Sequence, residues 1–239
     1  MANFSHLPAG LERPSSFQVF DDFTWLVTAH NWTTLVADGG TSATVSTTFG
    51  GVVPLVTGAT DNNEAAVYMT NAQFLLAANS NTYGEIRAKY AEANTDDANV
   101  FLGFASAPGA NLLVDDGAGP RTSGTIIGFY KVDGGTAWIC YTRSNSVVYS
   151  NTTQITAGST AYAIFGIEIV ELTSLTATVV FKIDGQLLRD ATTGAVIRHN
   201  IAVASATAMG LVSYIKAGGA NSETLNVDYM GATAARVLY

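Results

Sequence analysis

The chain has a single cysteine, Cys140, so it can form no internal disulfide. That excludes the small bridge-stapled scaffolds of secreted proteins. The surrounding Trp138-Ile139-Cys140-Tyr141 has the character of a buried strand, which marks the thiol as core rather than reactive. Charge is scarce: 13% of the residues are Asp, Glu, Lys or Arg, against about 25% in ordinary soluble domains. Eleven basic and nineteen acidic side chains leave a net −8, with no basic run. A protein that holds nucleic acid by neutralising phosphates is thereby excluded. No run approaches the roughly 18–20 apolar residues that cross a membrane as a helix, so no membrane partner is expected. The first residues, Met1-Ala2-Asn3-Phe4-Ser5-His6, carry neither a positive start nor an apolar core, so no signal peptide is read there and folding in a reducing cytosol is expected. In that setting the sequons at Asn3, Asn31 and Asn151 are chance features of an Asn- and Thr-rich chain.

Enzyme signatures are missing too. The chain has no Gly-x-Ser-x-Gly elbow, no P-loop, no dinucleotide fingerprint and no His-Glu-x-x-His. Its three histidines, His6, His30 and His199, are far apart and in no metal-ligand spacing. Nothing singles out a Ser/His/Asp triad. The expectation is a non-enzyme with no catalytic residue, no cofactor and no metal.

What is present is alternation. In Thr224-Leu225-Asn226-Val227-Asp228-Tyr229-Met230 the odd positions are apolar, which puts one face of a strand in a core and the other in water. Val179, Phe181 and Ile183 alternate likewise, as do Ile86, Ala88 and Tyr90; the latter stretch also suits a short helix, but its neighbours are strands. Val100 to Ala105, Ile126 to Val132, Tyr162 to Val170 and Leu211 to Ile215 are apolar on both sides, as central strands covered on both faces are. Gly103, Gly128 and Gly166 lie inside such runs, where they mark bulges or a close backbone approach. Asp133-Gly134 and Asp184-Gly185 each separate two strand-like runs, the strongest short-range hairpin signal. About a dozen short, evenly spaced strands predict an all-β sandwich or barrel. No linker divides it. Residues 1–20 differ, with Pro8, Gly10 and Pro14 in an extended arm, and 21–239 form the single domain. The arm is either a solvated tail or, through Phe4, Leu7, Leu11, Phe17, Val19 and Phe20, a docking segment.

The polar constellations are few. Glu168 and Glu171 differ by three, which places them on opposite faces of a strand and unfits them as an acid/base pair across one bond. Acidic clusters at Asp61-Asn62-Asn63-Glu64, Asp96-Asp97 and Asp115-Asp116 fall in predicted loops without an EF-hand register. Asp115-Asp116-Gly117-Ala118-Gly119 is the best calcium candidate, and solvated turns are the competing explanation. Trp25, Trp32 and Trp138 could stack on sugars, but strand context favours the core for each.

Five segments carry a resemblance: Asn94 to Phe104, Leu113 to Pro120, Gly128 to Gly135, Phe181 to Leu187 and Glu223 to Met230, with Asp21-Asp22-Phe23 as an opening. From Asp21 to Ala232 the chain resembles the concanavalin-like (laminin-G-like) jelly roll of tailed-bacteriophage virion proteins. The resemblance implies a jelly-roll β-sandwich and the role of a capsid decoration or cement protein. Such a protein is commonly a homotrimer, sits on the virion surface and contacts the major capsid protein. The low charge suits packing against identical neighbours. The alternative is a carbohydrate-binding, lectin-like module of a virion fibre or surface protein, with weak glycan binding; the calcium and sugar ligands of lectin relatives are not found at matching positions. A degenerate glycosidase is the third reading, and the absence of a spacing-two carboxylate pair counts against it.

Overall fold

The computed structural model describes residues 16–24, 26, 31–38, 44–45, 51–76, 79–91, 97–171, 173–203 and 208–235. Among them there is no helix. The strands in chain order are Ser16–Asp21 (β1), Trp32–Ala37 (β2), Thr44–Val45 (β3), Val53–Val56 (β4), Glu64–Met69 (β5), Thr82–Ala91 (β6), Ala98–Ala105 (β7), Leu113–Val114 (β8), Gly119–Pro120 (β9), Ile126–Lys131 (β10), Ala137–Ser144 (β11), Val147–Thr156 (β12), Ala163–Val170 (β13), Thr176–Ile183 (β14), Gln186–Leu187 (β15), Arg198–Ala202 (β16), Gly210–Ala217 (β17) and Thr224–Ala235 (β18). The count exceeds the dozen expected because four of them are two-residue pairings that leave no periodic trace in sequence.

Two antiparallel sheets make the sandwich. One runs β15-β14-β13-β6-β18-β4-β3, and the other runs β12-β11-β10-β7-β17-β5-β2. Strand β18 is long enough to take β4 along Thr224–Val227 and β1 along Met230–Ala235 on the same edge. Strand β14 likewise takes β15 and β16 end to end. Ser16–Asp21, most of which the sequence reading placed in the arm, is therefore a strand of the sandwich. Phe17 packs 5.4 Å from Phe74 and Phe20 5.5 Å from Tyr229, so these rings are satisfied within the chain. The rest of that arm, including Phe4, Leu7 and Leu11, lies outside the described residues.

The alternating stripes meet between the sheets. Phe129 of β10 stands edge-on to Phe165 and Phe181, at 5.3 and 5.4 Å between ring centres. Ile86, Ala88 and Tyr90 face the same core, which settles their segment as strand. Every residue of β7 and of β17 is buried. A second apolar layer explains this: the β7–β10 connection folds back and lays Leu112 and Leu113 on Phe101, Tyr141 and Tyr214 at the outer face of the second sheet. One expected stripe shifts phase. A bulge between Val227 and Tyr229 in the β18–β6 ladder turns Met230, not Tyr229, into the core.

The strand glycines act by close approach. Gly103 and Gly128 are register partners, and a Cβ on Gly128 would stand 2.4 Å from the Leu102 carbonyl oxygen. Asp184 and Gly185 both have positive φ, 50° and 76°, and form the primed hairpin turn the sequence predicted. This hairpin is fixed to β13. The Ile164 amide donates to Asp184 Oδ1 at 2.8 Å, and the Asp184 amide donates to the Ile164 carbonyl at 2.8 Å.

Candidate functional site

Three depressions meet at that hairpin. A groove of about 260 Å³ opens between the sheets beside Ile183 and Asp184 and is lined by Trp138, Tyr162, Phe165, Ile155 and Ser159. Around the other side, about 360 Å³ is bounded by Gln154, Ile155, Gln186, Leu187 and Arg189. The two share Ile155, Ile183 and Asp184 in their lining, so they adjoin across these residues. Tyr162 is held in place: the Arg87 guanidinium lies 4.6 Å and the Lys89 ammonium 5.1 Å from its ring centre. Arg87 is itself paired with Asp228.

The third depression, about 150 Å³, lies on the outer face of the first sheet among Tyr83, Glu85, Gly166, Glu168 and Lys182. Gly166 leaves the space, since it faces Glu85 on β6 and Lys182 on β14 without a side chain. Glu85 is buried and accepts one hydrogen bond from the Tyr83 hydroxyl and one from the Tyr229 hydroxyl. Burial first, and then the carboxylate of Glu85, push both phenols far above the usual tyrosine range, so both remain donors. Glu168 Oε1 pairs with Lys182 Nζ at 2.6 Å. Because Glu168 faces Tyr83, Glu168 and Glu85 are diagonal neighbours on adjacent strands, with backbones roughly 7–8 Å apart. They can receive the hydroxyls of a polyol. Acid/base cleavage of a glycoside would require one of them to be protonated in the bound state.

The residues singled out in sequence distribute as follows. Glu168 and Glu171 do not meet; Glu171 accepts from Thr178 Oγ1 at 2.7 Å. Sequence reasoning missed Glu85, since its partner strand lies some eighty residues further on. Trp32 is fully buried and donates Nε1–H to Asp21 at 2.6 Å, and Trp138 is buried edge-on to Phe165 at 4.9 Å with the groove at its rim. Trp25, His6, His30 and Asp96 lie outside the described residues. Cys140 is buried in β11, and burial raises its thiol pKa well above the ordinary range, as an inert core thiol requires. Asp115, the calcium candidate, meets the ammonium of Lys216. Among the described residues no group of three or more His, Cys, Asp and Glu is arranged to hold a metal.

His199 does build a relay. Its Nδ1 is 3.0 Å from Thr142 Oγ1 and its Nε2 is 2.9 Å from Asn151 Oδ1, while Asn151 Nδ2 donates to Asp190 at 2.8 Å. The Asn151 acceptor assigns the proton to Nε2. Burial lowers the imidazole pKa to about 4, so the ring is neutral. Thr142 is fully buried and no substrate reaches its hydroxyl, so the relay ties the sheets together rather than activating a nucleophile.

No protein-family model matches the chain, and no curated protein matches it in sequence. Solved structures do match in shape. The endo-1,3-β-glucanase from Streptomyces sioyaensis superposes with a TM-score of 0.61 over 97% of this chain and 100% of that one, at 12% identity. Arcelin-5, a lectin-like defence protein from Phaseolus vulgaris, gives 0.58 over 93% and 100%, at 8% identity. The carbohydrate recognition domain of Emp46p gives 0.56 over 91% and 95%, at 9% identity. The fold is thus the concanavalin-like jelly-roll sandwich of lectins and glycanases, as the family resemblance implied. At such identity the likeness carries the fold alone. It nevertheless corrects one expectation. The non-enzyme reading rested on missing local motifs, yet an endo-1,3-β-glucanase shares this fold over 97% of the chain, so that expectation does not stand. Nothing in the fold or in these structures points to a capsid partner or a trimer.

Proposed function

We propose that the chain is a glycan-binding domain whose site is the concavity at the β14–β15 hairpin. The observation that carries this is the groove lined by Trp138 and Tyr162, with Tyr162 fixed by two cations, adjoining a second depression lined by Gln154, Gln186 and Arg189. Aromatic rings packed in place give a sugar an apolar platform at little entropic cost, and amide and guanidinium groups orient its hydroxyls. The lectin-like and glycanase structures of this fold support a carbohydrate ligand. A glycan array followed by titration calorimetry tests the reading. Binding is expected, with Tyr162→Ala and Leu187→Asp each weakening it about tenfold or more. No binding across neutral and charged polysaccharides at millimolar ligand would overturn it. The same glycans should be assayed for new reducing ends. Their release, lost in Glu168→Gln and Glu85→Gln, would convert the reading from binding to hydrolysis. The capsid decoration role, with a trimer on a virion surface, is supported by sequence resemblance only, and most of the arm assigned to attachment lies outside the described residues. A copy number equal to that of the shell protein in purified particles would restore it.

A further inference from the structure

We propose that Glu64, Asn111, Leu113 and Asp115 form a cation site that the chain fills with the ammonium of Lys216, and that this internal cation docks the β7–β10 connection onto the second sheet. Lys216 on β17 and Glu64 on β5 are register partners, and both side chains are fully buried. Lys216 Nζ lies 3.1 Å from Glu64 Oε1, 3.0 Å from Asn111 Oδ1 and 3.4 Å from the Leu113 carbonyl oxygen, and it also contacts Asp115 Oδ1. One of these oxygens comes from the sheet and three from the connection. The Asn111 main-chain N–H closes the cage by donating to both Glu64 oxygens, at 2.9 and 3.0 Å. Asn111, Asp116 and Gly117 all have positive φ, between 54° and 69°, which winds the connection so that its oxygens converge.

Two carboxylates, an amide oxygen and a main-chain carbonyl are the donor set of a hard cation. An ammonium offers three protons to these four oxygens and one positive charge to two carboxyl groups, of which the buried Glu64 has its pKa raised by desolvation. Burial alone draws a lysine pKa down; here Asp115 and Glu64 reverse that and hold the ammonium above its ordinary range. With the side chain shortened, Glu64 and Asp115 would lose their counter-charge; burial already raises the Glu64 pKa, so a divalent ion would have to displace a proton there to restore a charged pair. The sequence singled out Asp115 for calcium; the structure puts the chain's own cation there.

The test compares wild type, Lys216→Ala and Lys216→Met, each in chelator and in about 10 mM CaCl2, roughly tenfold above the dissociation constants of weak calcium sites. Thermal melting and tryptic cleavage after Arg121, mapped by mass spectrometry, are the readouts. The wild-type melt should not respond to calcium. Lys216→Ala should be cleaved after Arg121 in chelator, and calcium should protect it and raise its melting temperature, with an apparent Kd of about 10⁻⁴–10⁻³ M. Lys216→Met, which fills the cage without charge, should be cleaved in both conditions. Lys216→Ala that resists trypsin in chelator, or that calcium does not protect, would overturn the proposal. Should that variant not fold, Asp115→Asn decides: its carboxylate is half exposed, the Glu64 pair is retained, and cleavage after Arg121 should rise several-fold. Unchanged cleavage in Asp115→Asn would also overturn it.

Discussion

Gly128→Val is expected to leave no cooperatively folded protein. Gly128 pairs with Gly103 on one side and with Tyr141 on the other, in the middle of the second sheet. A Cβ there meets the Leu102 carbonyl oxygen at 2.4 Å, Phe101 Cζ at 2.8 Å and Gly103 Cα at 3.0 Å. Two of these atoms are backbone and cannot rotate away, so β7 and β10 must separate and their ladder must break. Ordinary overpacking costs about 1–3 kcal/mol. A backbone clash inside a strand buried on both faces should cost about 4 kcal/mol or more, and β-branched Val adds further clashes, against a total stability of about 5–15 kcal/mol. Gly128→Ala already carries the offending atom and should lower the urea midpoint strongly. Gly134→Ala is the control. Gly134 meets nothing within 4 Å, and only its φ of 70° resists substitution, so about 1 kcal/mol is expected. Equal urea midpoints for the two alanine variants would refute the close-approach argument.

Stability should also fall on mild acidification, through His199. Its folded-state pKa of about 4 lies below the usual 6.5, because burial disfavours the imidazolium. The unfolded chain therefore takes up the proton first. The stabilisation is complete above pH 6.5, is lost as pH falls, and the loss levels off below about pH 4. The difference corresponds to about 2 kcal/mol by pH 5 and about 3 kcal/mol by pH 4. Asp190, held down to about 2 by the Asn151 and Thr193 hydrogen bonds, stays ionised through this window, so the acid end of the relay is not what titrates. The prediction is checked by urea unfolding between pH 7 and 4, comparing wild type with His199→Gln. The variant should be less stable at pH 7, because Thr142 and Asn151 lose a shaped partner, and nearly flat between pH 6.5 and 5. An equally steep slope in the variant would assign the acid sensitivity elsewhere.

The fold was legible because its signals are local. Val179, Phe181 and Ile183, or Ile86, Ala88 and Tyr90, announce a strand and its buried face from side-chain period alone. Asp184-Gly185 announces a primed turn because both residues tolerate positive φ. Unbroken apolar runs such as Val100 to Ala105 announced a strand covered on both faces, although not that Leu112 and Leu113 supply the outer cover. The phase shift at Asp228 was hidden, since a bulge adds a residue without changing composition. The site was less legible, because cross-strand neighbours carry no fixed sequence spacing. Glu168 invited comparison with Glu171, three residues on, whereas its diagonal neighbour is Glu85. The same limit produced the non-enzyme expectation, for motifs catch only those sites whose residues sit close together along the chain.

The sequence by itself determined the class of structure. Low charge, one cysteine, period-two alternation and Asp-Gly turns leave an all-β sandwich or barrel, and a sandwich is what forms. Which polar groups meet was decided by tertiary structure alone. Lys216 became a buried cation only because antiparallel pairing set it opposite Glu64 and the β7–β10 connection brought Asn111, Leu113 and Asp115 over it. The hairpin groove exists only because β12, β13 and the β14–β15 turn end at the same edge of the sandwich. Period and turn chemistry act over a few residues and survive in any local stretch of sequence. Register and the packing of one sheet on another act over a hundred or more, and they are set by the burial of the whole core at once.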